Sequence, residues 1–308
     1  MMPSTLAPIL LFTYKRIDTL KHTVAALQQN YQAGESELFI FSDAAKTPDE
    51  EYEIANVRNF IKNITGFKNV SIFEANKNKG LANSIISGVT RVIEEYEKVI
   101  VLEDDLLTSP NFLVFMNQAL EFYQNNFKVF SIAGYTISIS PPANYTLDVY
   151  FTPRASSWAW ASWKDRWCEI DWSIKDFDQF KKNKRKRKEF KLGGSDMFTM
   201  LTKQMQGKLD SWAIRWCYHQ FKHNMYTVYP TVSKVRNIGF GHGATHTFDY
   251  FNRYETKLDE SGKVHFVFDE PYINKEIIKA FLVQFSLYTR IKYKVLNTLA
   301  LFIIKRKK

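Results

Sequence analysis

Through the first third of the chain, short apolar runs alternate with stretches whose apolar residues recur every third or fourth position. Ile9-Leu10-Leu11-Phe12-Thr13-Tyr14 reads as a first strand. The segment from Asp18 to Gln29, with Leu20, Val24 and Leu27 on one face, reads as a helix with Asp18 as its N-cap. Leu38-Phe39-Ile40-Phe41 predicts a second strand, ending in Ser42-Asp43, and Glu50 to Ile64 a helix carrying Ile54, Val57 and Ile61. Val70 to Phe73 predicts a third strand, Leu81 to Tyr96 a helix, and Val99 to Leu102 a fourth strand. Four such alternations are the mark of βαβ units and a largely parallel sheet. Right-handed crossovers then bring Tyr14, Asp43 and the end of the fourth strand to one edge.

That fourth strand changes the picture, because Val99-Ile100-Val101-Leu102 runs directly into Glu103-Asp104-Asp105. A continuous β-branched run predicts a strand buried on both faces, and open α/β sheets hold ligands at the carboxyl ends of their strands. Three adjacent carboxylates repel one another unless a cation joins them, and a hard divalent ion with oxygen ligands suits the group. A solvated acidic turn is the other reading of the same residues.

Beyond Pro110 a helix is expected to about Asn125 and a strand from Val129 to Ala133. Ser157 to Trp163 then places Trp158, Trp160 and Trp163 within six residues, with Trp167 and Trp172 close behind. Core packing claims most tryptophans; an aromatic platform for a sugar ring is the alternative. Lys181 to Lys191 holds eight basic residues in eleven, either a solvated face or a contact for anionic lipid. Ser211 to His223 has helical spacing, which places Asp210 at or near an N-cap. Asn237 to Thr247 carries Gly239, Gly241 and Gly243 at alternate positions, a backbone able to approach phosphate closely, with His242 and His246 inside it. From Asn274 onward Ile277, Phe281, Phe285, Tyr288, Ile291, Val295 and Leu299 share a helical face flanked by Lys and Arg. That pattern suits a helix lying in a membrane interface, or one packed on the domain or on a second copy.

Composition narrows the partners. The 308 residues carry 42 Lys and Arg against 32 Asp and Glu, a net charge of +10, which favours an anionic substrate or surface. Nucleic acid would also be attracted, yet no nucleic-acid-binding module is recognisable. Two cysteines are too few for a disulfide framework and suit a reducing compartment. No secretory signal and no spanning run of apolar residues is evident.

Taken together the motifs resemble a GT-A glycosyltransferase, most specifically the inverting N-acetylglucosaminyltransferase I type, as well as bacterial surface-glycan glycosyltransferases. That family carries Glu-Asp-Asp-Leu followed by Pro, an acid and Phe; here Glu103-Asp104-Asp105-Leu106 is followed by Pro110-Asn111-Phe112, with Asn in place of the acid. Its first strand ends in Asp-Arg, matched at Arg16 only, and its Ser-Gln-Asp is resembled by Ser42-Asp43. Its Trp-Asp-Asp-Trp, whose first Asp is the catalytic base, is similar to Leu209-Asp210-Ser211-Trp212, and its glycine loop to Ile238 through His246. The likeness covers roughly residues 8 to 250.

The resemblance implies a metal-dependent inverting transferase. It would use a nucleotide-diphosphate sugar, with UDP and GlcNAc favoured, and a glycan or glycolipid acceptor. Asp210 is then the base and Asp105 the ligand of Mn²⁺ or Mg²⁺. Phe12, Thr13, Tyr14, Arg16, Asp43, Lys79, Asn83, Glu103, Asp104 and His246 are the candidate donor contacts. Trp158, Trp160 and Trp212 are the candidate acceptor contacts. The expected architecture is an α/β mixed sheet with flanking helices over residues 1–272, comprising a nucleotide-binding half to 110, an acceptor-binding half from 111 and a basic insert near 178–192. An amphipathic helix over 273–308 is expected to hold the protein on the cytoplasmic face of the cell membrane or to join two copies. A nucleotidyltransferase, or a sugar- or membrane-binding protein without activity, are the competing readings. The first strand lacks the glycines of a nucleotidyltransferase phosphate loop.

Overall fold

Residues 5–240 and 251–306 are described by the structure, a computed structural model. The alternating pattern becomes β1 (Ile9–Thr13), α1 (Ile17–Gln28), β2 (Glu37–Ser42), α2 (Glu51–Ile61), β3 (Asn69–Glu74), α3 (Leu81–Tyr96) and β4 (Lys98–Glu103). These strands pair in parallel in the order β3-β2-β1-β4. The chain builds outward from β1 through β2 to β3, then returns across α3 to place β4 on the other side of β1. Right-handed crossovers in opposite directions put helices on opposite faces. Ile9, Leu11, Leu38 and Ile40 accordingly pack with α1 and α2, whereas Leu10, Phe12 and Phe39 pack with α3. Asp18 lies in the first turn of α1; Arg16 occupies the cap position and offers no side-chain bond, so the expected Asp18 cap is absent.

Next come β5 (Leu106–Thr108), α4 (Phe112–Tyr123), β6 (Val129–Ala133), β7 (Val149–Thr152) and β8 (Trp160–Trp163). They are followed by α5 (Lys164–Cys168), α6 (Phe177–Lys182), α7 (Lys184–Phe190), α8 (Met197–Met205) and α9 (Trp212–Lys222). The series closes with β9 (Tyr226–Pro230), β10 (Val235–Asn237), α10 (Lys275–Gln284) and α11 (Leu287–Arg306). The sheet continues β4-β8-β6-β9-β7, with β8 antiparallel to both β4 and β6, so it is mixed as expected. The tryptophan-rich stretch is thus largely an interior strand. Trp160 turns to the α3 side and Trp163 to the other, each filling a core. A separate ribbon pairs β5 with β10 and brings Asn237 opposite Leu106.

The basic run is anchored rather than free. Phe180 and Phe190 are buried in the α3-side core, leaving most of the Lys and Arg side chains between them exposed. The carboxyl-terminal extension divides into two helices with different surroundings. On α10, Ile277, Phe281 and Phe285 are buried, and the Phe281 ring lies 5.3 Å from Tyr229 and 6.2 Å from Tyr150. Truncating such an aromatic typically costs about 3–5 kcal/mol, so α10 is packed into the core, whereas α11 meets the rest of the chain through polar side chains such as Arg290 and Asn297. Among the described residues no helix is long and apolar enough to cross a membrane.

His219 of α9 sets a pH dependence of stability. It is buried between the Phe130 ring and His223, at 5.4 and 4.3 Å, and burial, then His223 and Lys222, lower its pKa to about 4. Unfolding returns it to about 6.5, so between these values the unfolded chain binds the extra proton. The stabilisation is complete above about pH 6.5 and is lost as pH falls towards 4. Glu103, Asp104 and Asp105, raised by burial, act in the opposite sense over the same window, so the check is a difference: denaturant titrations should show wild type losing on the order of 1–3 kcal/mol relative to His219→Phe between about pH 6.5 and 4.

Candidate active site

The reversal of strand order at β1 and β4 opens a crevice beyond their carboxyl ends, where α/β sheets bind ligands. Its floor is the acidic run. The Tyr14 amide donates to Asp104 Oδ2 at 3.0 Å, and Arg16 Nη1 donates to Asp105 Oδ2 at 3.2 Å. Asn237 Nδ2 approaches Asp105 Oδ1 at 3.4 Å, while Arg16 Nη2 reaches the Gly239 carbonyl at 3.2 Å. A Cβ at Gly239 would overlap the Asp105 carboxylate, so only glycine lets the backbone after β10 come this close. The β5–β10 ribbon thereby sets the acids against the start of the glycine-rich stretch. Gly241, Gly243, His242 and the expected donor contact His246 lie outside the described residues.

The three carboxylates are undercompensated. Burial, then Asp105 and Asp104, push Glu103 well above the usual carboxylate range. Burial and Asp105 raise Asp104 to about 7. Burial also raises Asp105, although Arg16 pulls against it. Among the described residues no three Asp, Glu, His or Cys side chains converge closely enough to enclose a metal ion. The crevice offers a partial shell instead: the Asp105 carboxylate, 19% exposed, with Arg16 and Asn237 on its inner side and Asp104 next to it in the chain. A hard divalent ion suits such a place when phosphate and water supply its other ligands, as is usual for Mg²⁺. The residues therefore fit an ion that arrives with a diphosphate better than one bound alone.

One rim holds Tyr14, whose hydroxyl is bonded to Glu50, itself paired with Lys15 at 2.7 Å. Burial and Glu50 push the Tyr14 phenol up to about 12, and Lys15, then Tyr14, hold Glu50 down to about 2. Glu50 is a site residue that no sequence signal marks. Asp43 forms the other rim, and its carboxylate is filled by backbone amides: Ala44 at 2.9 Å, Lys79 at 2.9 Å and Gly80 at 3.0 Å. It therefore fastens the turn before α3, and the Lys79 amide, not its ammonium, is what it holds. Asn83 caps the same turn through the Lys79 carbonyl at 2.9 Å. Beside them a groove of about 510 Å³ runs between β2, β3 and α3, lined by Phe41, Phe73, Lys79, Ser84 and Arg91.

Asp210 stands beside the turn before α3. Its Oδ2 lies 3.7 Å from where a Cβ on Gly80 would be, over the N-terminal end of α3. The cap of α9 is Ser211, whose hydroxyl accepts from the Ile214 amide at 3.3 Å. Asp210 precedes it, exposed, and the expected capping role does not fall to it. Behind Ser211 lies a cavity of about 270 Å³ lined by Tyr135, Arg154, Trp158, Tyr229 and Phe285. Trp158 is half-buried there, edge-on to Tyr135 and Tyr254.

Three of the expected contacts are corrected. Trp160 and Trp212 are 1% and 3% exposed, packed with Trp167 and Trp216 in the core, so neither presents a face to a ligand. Phe12 is stacked on Phe41 at 4.9 Å beneath α3, because strand alternation turns it away from the side that Thr13 occupies. Thr13 is buried at the strand end with a hydroxyl that has no partner among the described residues. Asp196, another carboxylate near this cavity, is clamped by Arg154 at 2.8 and 3.1 Å. Burial alone would raise it, but the guanidinium outweighs that and holds it below the usual range.

No family model matches the sequence, and no curated protein matches it. Similar solved structures include the mannosyltransferase PcManGT from Pyrobaculum calidifontis in complex with GDP-Man and Mn²⁺, 12% identical over 53% of this chain and 46% of that one, TM-score 0.37. Residues 1–349 of TarS from S. aureus are 9% identical over 73% and 60%, TM-score 0.37. The galactosyltransferase LgtC, in complex with donor and acceptor sugar analogues, is 11% identical over 72% of each chain, TM-score 0.39. The chain thus spans about half the length of the first of these and under two thirds of the second. At TM-scores of 0.37 to 0.39 such likenesses carry no weight for its activity.

Proposed function

We propose that the chain is a glycosyltransferase that moves a sugar from a nucleotide-diphosphate sugar to an acceptor hydroxyl by a single inverting displacement. The observation that carries this is the buried acidic run at the end of β4, at the β1/β4 reversal, together with Asp210, an exposed carboxylate beside the Gly80 turn that caps no helix. Arg16, within reach of Asp105, would bring positive charge to a diphosphate held there, and the groove of about 510 Å³ beside Asp43 has the volume for a nucleoside. Trp158 and the cavity behind Ser211 suit the acceptor. Asp210 takes the proton from the acceptor hydroxyl as its oxygen bonds to the anomeric carbon. The bond from that carbon to the diphosphate oxygen breaks at the same time, and the diphosphate leaves with the electron pair. A Mg²⁺ or Mn²⁺ held by Asp105 and the diphosphate would offset the departing charge. The likeness of the acidic motif favours UDP-GlcNAc as donor.

Incubating the protein with UDP-GlcNAc, UDP-glucose or GDP-mannose, with and without Mn²⁺, tests this. Release of a nucleoside diphosphate is expected from at least one donor, together with a rise in melting temperature. Release of pyrophosphate instead would mark a nucleotidyltransferase, and no turnover alongside donor binding would mark a binding protein.

A further inference from the structure

The polarity of α11 runs opposite to that of a helix resting on a protein in water. Its two best-buried described side chains are polar: Thr289, 7% exposed, and Asn297, 8% exposed. Asn297 faces the domain, accepting from the Phe251 amide at 2.7 Å and donating to the Phe251 carbonyl at 3.2 Å. The outward side carries Leu287, Ile291, Val295 and Leu299 at four-residue spacing, each 51 to 60% exposed, with Tyr288 beside them at 76%. An apolar stripe of this length facing water marks a surface that is covered in use.

Charge decides what covers it. On a helical projection, Lys292 and Lys294 fall at opposite edges of the stripe, and both are exposed. No Asp or Glu occurs from Ile277 to the carboxyl terminus, which ends in Lys305-Arg306-Lys307-Lys308. A second copy would present the same cations to these, and like charges would oppose the contact. An anionic lipid surface takes the opposite view of the same residues: apolar side chains enter, and lysines extend along the edges to the headgroups.

The basic run adjoins this helix. Ser195 Oγ donates to the Phe285 carbonyl at 2.7 Å and receives Arg290 Nη1 at 3.3 Å, which fastens the segment after α7 to the junction of α10 and α11. Lys181, Lys182, Lys184, Arg185, Lys186 and Lys188 on α6 and α7 are exposed, and Leu192 between them and that junction is 60% exposed. We infer that α11 and the α6–α7 run form one composite surface that docks on an anionic bilayer. α11 supplies the apolar insertion and α6–α7 the headgroup charge.

Co-sedimentation of the full chain with phosphatidylcholine vesicles, with and without phosphatidylglycerol, tests it. Binding is expected only to the anionic vesicles and should weaken with added salt. The exposed double substitution Ile291→Glu with Val295→Glu should reduce partitioning at least about tenfold at unchanged melting temperature. The set Lys184→Gln, Arg185→Gln, Lys186→Gln and Lys188→Gln should do likewise, since each cation near such a surface contributes about fivefold. Equal binding to neutral vesicles, or wild-type binding by either variant, would overturn the composite surface. So would light scattering that shows wild type as a dimer which the α11 variant dissolves without any vesicle binding.

Discussion

Asp210→Asn should lower sugar transfer by at least about a hundredfold while leaving the melting temperature and the donor affinity unchanged. The stability half of this follows from α9, where Ser211 makes the cap bond and Asp210 makes none. Asn keeps the shape of the side chain at Gly80 but takes no proton, and general-base groups contribute about 10²–10⁴-fold in rate. Ser211→Ala is the reciprocal variant. It should cost about 1 kcal/mol of stability through the lost cap and little in rate. Single-turnover transfer by Asp210→Asn within a few-fold of wild type would move the base elsewhere. Asp196 would not replace it, because Arg154 occupies both its oxygens.

Asp105→Asn should remove the effect of Mn²⁺ on donor binding. In wild type, Mn²⁺ alone is expected to leave the melting temperature nearly unchanged, because no three ligating side chains converge among the described residues. Mn²⁺ with nucleotide sugar should raise it, and metal and donor should each tighten the other. The amide of Asn preserves the contour against Gly239 and still accepts from Arg16, yet it lacks the charge that a hard cation needs. If calorimetry found the same Mn²⁺-dependent donor affinity in Asp105→Asn, the ion would have to be sought at Glu103 or Asp104.

The parallel half of the fold is legible because β1, β2 and β4 are largely buried on both faces and its helices carry one apolar stripe. Ile9 to Leu11, Leu38 to Ile40 and Val99 to Leu102 therefore announce themselves in composition alone. The second half hides its strands. β5, β7, β8 and β10 are three or four residues long, too short for a period to repeat. β8 also reads as an aromatic patch because its tryptophans fill two cores at once. The acidic run, Arg16 and Asp210 are legible as chemistry, since charge at a strand end or loop needs an explanation that packing does not give. Asn237 and Glu50 are not, for what ties each to the site is a partner more than thirty residues away in sequence. Asp43 was legible as a carboxylate at a strand end but not as the fastener of the α3 turn, which depends on three amides converging from two segments.

The cluster of indoles beneath the crevice makes the protein its own optical probe. Trp160, Trp212 and Trp216 stand 4.4 to 5.3 Å apart, and Trp167 lies 5.5 Å from Trp160. At such separations their excited states couple, and the near-ultraviolet circular dichroism of the group depends on the mutual angles of the rings. Trp212 begins the helix that follows Asp210 and Ser211, so a shift of that helix when the crevice fills would alter the signal without any label. The same band would vanish on loss of side-chain packing while the far-ultraviolet spectrum persisted, which separates a loosened core from an unfolded chain.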